Sequence, residues 1–185
     1  MNLVVVSGPE ATGKSAISRE IVRLLGYQYQ TKDTIKEALF DAKLHSTWDY
    51  AWYEKRAKNK FFGDIQHFVA QNKSAVVESD FTAEDKKRFA ACLNDTVVIT
   101  EIYCTTKGFT SFKRFVWRNE TGRRHTGHHD RRWYVKILLQ DLLKYLGIRW
   151  PHQPLGFTKR ILTVDTTDFT RVDYKKIANF TKQAH

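Results

Sequence analysis

Eight residues near the start of the chain, Gly8-Pro9-Glu10-Ala11-Thr12-Gly13-Lys14-Ser15, limit the folds open to it more than any other stretch. Ahead of them runs Leu3-Val4-Val5-Val6, an apolar, β-branched segment that reads as a short strand buried on both faces. Behind them, Ala16 to Leu25 carries apolar residues at helical spacing, and Gly26 stands where a helix C-cap belongs. Strand, loop and helix in that order are the setting that G-x-x-x-x-G-K-[ST] needs. Gly8 and Gly13 let the backbone turn its N–H groups toward phosphate oxygens, and the helix N-terminus adds partial positive charge. Lys14 then reaches the β- and γ-phosphates, and the Ser15 hydroxyl is free to meet Mg²⁺. A Gly/Ser-rich turn without a ligand is the alternative, and it explains neither Lys14 nor the flanking elements. The loop Gly8–Ser15 as a whole, Pro9, Glu10, Ala11 and Thr12 included, is therefore assigned to a nucleoside triphosphate, with ATP the expected nucleotide.

The rest of the chain alternates between the two periodicities. Tyr27 to Thr31 reads as a second strand, followed by a helix with Asp33 in the N-cap position. A long helical pattern runs from about Ser46 to Asn72, with Trp48, Trp52, Phe61, Phe62, Ile65, Phe68 and Val69 near one side and Gly63 as a point of division. Ser74 to Asp80 is a third strand ending in acids, and a short helix from Thr82 to Cys92 follows. Thr96 to Cys104 is a fourth strand, Ser111 to Glu120 a helix, and Trp133 to Leu146 an amphipathic helix closed by Gly147. Pro151 and Pro154 mark a loop before a fifth strand, Arg160 to Asp165, and a closing helix from Val172 to Lys182. Strands alternating with helices, without repeats or low-complexity linkers, predict one α/β domain over residues 1–185, with a five-stranded parallel sheet and helices on both faces. Right-handed crossovers then bring the loop, Asp33 and Asp80 to one edge of that sheet.

Composition narrows the setting. No apolar run approaches the ~20 residues of a membrane span, and Cys92 and Cys104 are too few for a disulfide framework. The chain opens straight into a strand, so no signal peptide and a reduced, cytoplasmic location are expected. A net charge of +11 favours polyanionic partners, nucleotides or nucleic acid. No apolar strand ends in Asp-Glu as in a motor ATPase, and no Asn-Lys-x-Asp guanine reader is present.

Several side chains suit phosphoryl transfer. Asp33 should face the phosphate end of the loop, where a carboxylate accepts or orients the proton of an acceptor hydroxyl; capping of its own helix is compatible with that role. Lys36, Trp48 and Trp52 are expected near the same acceptor. Asp80 closes the third strand, where an acid holds Mg²⁺ or its waters or reaches the substrate, with Glu78 on the same strand face; a simple N-cap is the alternative. Arg114 and Arg118 share a helix face and are assigned, with the loop, to the nucleotide. Arg123 and Arg124 stand in a basic segment of about residues 122–132, in a positively charged turn flanked by Gly122 and Gly127. Their planar donors suit the charge that develops on a transferring phosphoryl group, and a lid here would also exclude water. A solvated or nucleic-acid-binding face is the competing reading. His125, His128, His129 and Asp130 suggest a metal centre, but no Cys pair completes a zinc pattern.

Taken together, the Gly8–Ser15 loop, Lys32-Asp33-x-Ile35-Lys36, Asp80 and Arg124-His125-x-Gly127-His128-x-Asp130 resemble the P-loop kinase family that includes zeta toxins, chloramphenicol phosphotransferase and the kinase domain of polynucleotide kinases. The likeness runs along nearly the whole chain. It implies a three-layer P-loop kinase fold, an acid base at Asp33 and lid arginines at Arg123 and Arg124 that contact ATP phosphates. Thr126 stands where the resemblance leads one to expect proline, which implies a less rigid lid. The resulting expectation is an ATP- and Mg²⁺-dependent phosphotransferase acting on a hydroxyl acceptor, a small molecule or a nucleic acid. A polynucleotide 5′-hydroxyl kinase and a nucleotide-binding regulatory protein without transfer activity are the alternatives.

Overall fold

The computed structural model describes residues 1–128 and 153–182. Its elements are β1 (Asn2–Ser7), α1 (Lys14–Leu25), β2 (Gln28–Thr31), α2 (Lys32–Asp41), α3 (Tyr50–Ala70), β3 (Ala75–Glu78), α4 (Ala83–Ala90), β4 (Val98–Thr105), α5 (Gly108–Glu120), β5 (Ile161–Asp165) and α6 (Tyr174–Lys182). Single 3₁₀ turns cover Thr126–His128 and Phe169–Arg171. All five strands run parallel, in the order β2-β3-β1-β4-β5. The expected helix from Trp133 to Leu146, the lid residues 129–132 and Pro151 lie outside the described residues.

The sheet is central because its inner strands β1 and β3 are buried on both faces. Leu3 and Val5 point into a core with Ile35 of α2, Phe61, Phe62 and Ile65 of α3 and Phe89 of α4. Val4 and Val6 point the other way, onto Ile17 and Ile21 of α1 and Ile177 of α6. Alternation along one buried strand thus feeds two cores, which is why β1 shows no polar face. Helices on each side of the sheet make the three layers predicted from the sequence.

Several local expectations change. Asp33 is not the cap of α2: β2 runs directly into the helix, and Thr31, in extended conformation, accepts the Thr34 N–H on its hydroxyl at 2.9 Å. Asp33 therefore lies inside the first turn, with its carboxylate free of capping duty. Likewise Asp80 does not cap α4, where Asp85 accepts from the N–H and the hydroxyl of Thr82 (2.8 and 2.9 Å). Helix α3 starts only at Tyr50, because Asp49 takes the Trp52 N–H at 3.0 Å and ends the preceding turn. Trp48 consequently lies ahead of the helix and is 67% exposed, while Gly63 passes through the helix without dividing it.

The strand order sets the position of the site. β1 lies between β3 and β4, and Val6 pairs with Glu78. The loop leaving β1 therefore passes beside the C-terminal end of β3, in the crevice where open parallel sheets bind ligands.

Candidate active site

A cavity of about 510 Å³ opens over this edge of the sheet. One wall is the loop itself. Gly8 and Gly13 take φ of +137° and +79°, and in addition a Cβ on Gly8 would strike the Cys104 carbonyl oxygen and one on Gly13 the Phe169 ring. Both positions thus require glycine for conformation and for space. The Lys14 ammonium arches back over the loop and donates to the carbonyl oxygens of Gly8 (2.9 Å) and Pro9 (2.8 Å). Thr12 donates to Pro9 O at 2.7 Å, and the buried Thr166 hydroxyl donates to Thr12 O at 2.5 Å, which ties the loop to the end of β5.

Behind Lys14, the Ser15 hydroxyl donates to Glu78 Oε1 at 2.6 Å, and the Tyr29 hydroxyl donates to Glu78 Oε2 at 2.7 Å. Burial first, and then the Glu78 charge, push the Tyr29 phenol far above its ordinary range, so Tyr29 remains a donor. It fixes the rotamer of a carboxylate that is itself buried. Ser15 and Glu78 present oxygen atoms only, a set whose hardness suits Mg²⁺. Asp80, two residues on, does not contact Ser15; it pairs with Lys32 at 2.9 Å.

A second wall, from α2, α3 and the end of β3, holds Lys32 and Lys36 with Asp33, Glu54 and Asp80. Lys32, 8% exposed, sits between Glu54 (2.6 Å) and Asp80 (2.9 Å), while Lys36 reaches the second Glu54 oxygen at 3.2 Å. Desolvation opposes charge on Asp80, but Lys32 and then Lys14 outweigh it and hold the carboxyl below the usual range. Glu54 is depressed by Lys32 and Lys36 against the same desolvation. On Lys32, desolvation is overcome by the two carboxylates, and its pKa is raised.

Arginines from α5 and the segment after it line the cavity as well. Arg118 and Arg124 both reach Glu10 Oε1, at 3.3 and 2.9 Å. Arg114 donates to the Thr166 carbonyl at 2.7 Å and lies over the Phe169 ring, 4.6 Å from its centroid. Arg123 does not line the cavity: it is exposed, its guanidinium 4.3 Å from the centre of the Trp117 ring. The segment is fastened to α2 by His128 on Glu37 (2.8 Å) and His125 on Asp41 (3.2 Å). Desolvation lowers the His128 pKa despite the nearby Asp33 charge. These pairings occupy both histidines, and among the described residues no three His, Cys, Asp or Glu side chains group as a metal centre.

Of the residues singled out in the sequence, the structure brings Lys14, Ser15, Asp33, Lys36, Asp80, Arg114, Arg118 and Arg124 to one cavity, along with Glu10 and the loop residues Ala11, Thr12 and Gly13. It leaves Arg123, Trp48 and Trp52 off the lining. Trp52 instead stacks on His45, with ring centres 4.7 Å apart. Sequence reasoning overlooked Glu54 and Trp117, and it named Lys32 and Glu78 without their contacts to Glu54, Asp80 and Ser15. A signal for Glu78 was present, since it ends an apolar strand; none marked Glu54, whose partners lie on another helix. Among the described residues no helix is long and apolar enough to cross a membrane, and both cysteines are free and buried.

No family model and no curated protein matches this chain. Among solved structures it is similar over its full length to 98% of a "putative kinase" from Chloroflexus aurantiacus, with 26% identity and a TM-score of 0.84. It also resembles a shikimate kinase from Bacteroides thetaiotaomicron (13% identity, TM-score 0.53, 98% of this chain and 94% of that one). A gluconokinase from Sinorhizobium meliloti matches at 15% identity and a TM-score of 0.51, over 99% and 90% of the two chains. The chain has the fold of P-loop kinases.

Proposed function

We propose that this protein transfers the γ-phosphoryl group of ATP to a hydroxyl of a small acceptor, with Mg²⁺. The observation that carries the reading is the convergence on a single cavity of Lys14 and Ser15 from the loop, Asp33 from α2, and Arg118 and Arg124, both paired with Glu10 of the loop. The likeness to the Chloroflexus aurantiacus protein supports it.

Phosphoryl transfer asks a protein for positioning and charge more than for covalent chemistry. Here the loop N–H groups and the α1 N-terminus provide fixed donors for phosphate oxygens. Lys14 supplies the cation. Arg118 and Arg124 exchange Glu10 for phosphate oxygens, and Arg114 braces Phe169 behind Gly13. Ser15 and Glu78 are the residues that would hold Mg²⁺, which contributes charge neutralisation when bound. Asp33, exposed to the cavity and free of capping, orients the acceptor hydroxyl and takes its proton. A second reading, transfer to the 5′-hydroxyl of a polynucleotide, draws on the net charge of +11.

Asp33→Asn tests the assignment, because it keeps size and removes the basic oxygen. Labelled-phosphate transfer should fall by roughly 10²–10⁴-fold, the range of a lost general base, with ATP affinity retained. Wild-type turnover in a folded, ATP-binding variant would return Asp33 to a structural role and make Asp80 the next candidate.

A further inference from the structure

The two walls differ in charge as well as in origin. Lys14, Arg114, Arg118 and Arg124 belong to the loop side, whereas the far side holds Lys32, Asp33, Lys36, Glu54 and Asp80. On that far side two ammonium groups meet two carboxylates in a chain of contacts, Asp80–Lys32–Glu54–Lys36, at 2.9, 2.6 and 3.2 Å. Their charges cancel. Asp33 adds a further negative charge that feels Arg118, as Asp80 feels Lys14. With those cations engaged by ATP phosphates, the acceptor meets three carboxylates and two ammonium groups, an acidic surplus within a chain of net charge +11.

An anionic acceptor is poorly served by such a surface. It would approach three carboxylates, and to gain Lys32 it would have to displace Glu54 or Asp80 from a lysine only 8% exposed. Lys32 is the buried member of both pairs, so taking a carboxylate from it leaves a desolvated ammonium short of a partner. A hydroxyl group has no such conflict: it donates to a carboxylate and accepts from an ammonium, so adjacent hydroxyls bridge alternating partners without breaking them. His128, with its Nε2 committed to Glu37, adds no fixed cation to balance the carboxylates. We infer that the acceptor is a neutral, polyhydroxylated small molecule, a sugar or polyol, gripped along the Asp80–Lys32–Glu54–Lys36 chain with one hydroxyl at Asp33. This inference rests on the kinase reading above, and it disfavours a polynucleotide end or a sugar acid as acceptor.

The full-length protein, γ-labelled ATP and Mg²⁺ would be incubated with a cellular small-molecule extract separated by ion exchange into neutral and anionic fractions, and in parallel with a 5′-hydroxyl oligonucleotide. Label should enter the neutral fraction. Glu54→Gln, whose amide oxygen can still accept from Lys32 while Asp80 keeps its charge, should lower kcat/KM for the neutral acceptor about 10–100-fold, the factor of a charge-assisted hydrogen bond, with KM for ATP unchanged. By releasing Lys36, the same change should raise labelling of the anionic fraction relative to the neutral one. Preferred labelling of the anionic fraction or of the oligonucleotide would overturn the acceptor class and leave the kinase reading standing, as would an unchanged neutral-to-anionic ratio in Glu54→Gln. Label in no fraction despite ATP binding would overturn the kinase reading itself and the acceptor class with it.

Discussion

The loop wall and the α2–α3 wall of the cavity are built in different ways. The first is contiguous chain: Gly8 to Ser15 contribute backbone N–H groups, one ammonium and one hydroxyl, held by Thr166 from behind. The second is assembled by side chains from α2, α3 and the end of β3, with Lys32 and Glu54 22 residues apart and Asp80 further on. Backbone geometry admits little substitution, whereas a chain of ion pairs is altered by one residue. The loop wall therefore suits a ligand common to many proteins, and the far wall suits the part of the reaction that distinguishes one protein from another.

The sharpest way to break this contrast is Lys14→Ala. No other loop residue supplies a cation to the β/γ-phosphates, so transfer should fall by about 10³-fold or more, and ATP binding measured by calorimetry should be lost with it. Retained affinity would remove the phosphate assignment altogether. Next in size is the pair Arg118→Ala with Arg124→Ala. Turnover should drop on the order of 10²-fold, and by more than ATP affinity does, if these groups act on charge developed during transfer. Equal losses in steady-state kinetics and binding would mark them as nucleotide clamps only.

The far wall should respond to pH through stability. Asp80 and Glu54 are held below their ordinary pKa, so their contribution is present above about pH 4 and is lost as pH falls through the folded-state values. The Lys32 pKa is raised, so its contribution persists below about pH 10.4 and is lost only at higher pH. Thermal melts should show a plateau between these limits, with a shallower acid decline in Glu54→Gln/Asp80→Asn; an identical decline would show that the tie adds nothing to folding. Thr31→Val removes the α2 cap and should cost about 1 kcal/mol in denaturant unfolding, a modest loss that leaves Asp33 in place. The smallest effect belongs to Arg123→Ala. Because Arg123 stacks on Trp117 outside the cavity, its removal should leave turnover within about twofold, as for a surface change of ~0.5 kcal/mol. A large kinetic loss would mean that the lid brings it inward during the reaction.

Much of this protein is written locally. The β-branched run at Val4–Val6, the spacing of Gly8 and Gly13, and the Lys14-Ser15 pair determine strand, phosphate loop and helix, because each depends on neighbours within a few residues. The alternation of later segments determined a parallel sheet, since parallel strands need crossovers of that length. Tertiary structure decided the rest. Which of Arg123 and Arg124 enters the cavity depends on where α5 ends relative to Glu10 and Trp117, and both read alike in sequence. That Glu78 meets Ser15 while Asp80 turns to Lys32 follows from the register of β3 against β1, which no single strand specifies. Glu54 became part of the site only when α3 packed beside α2, because an ion pair between helices leaves no spacing in the chain that carries it.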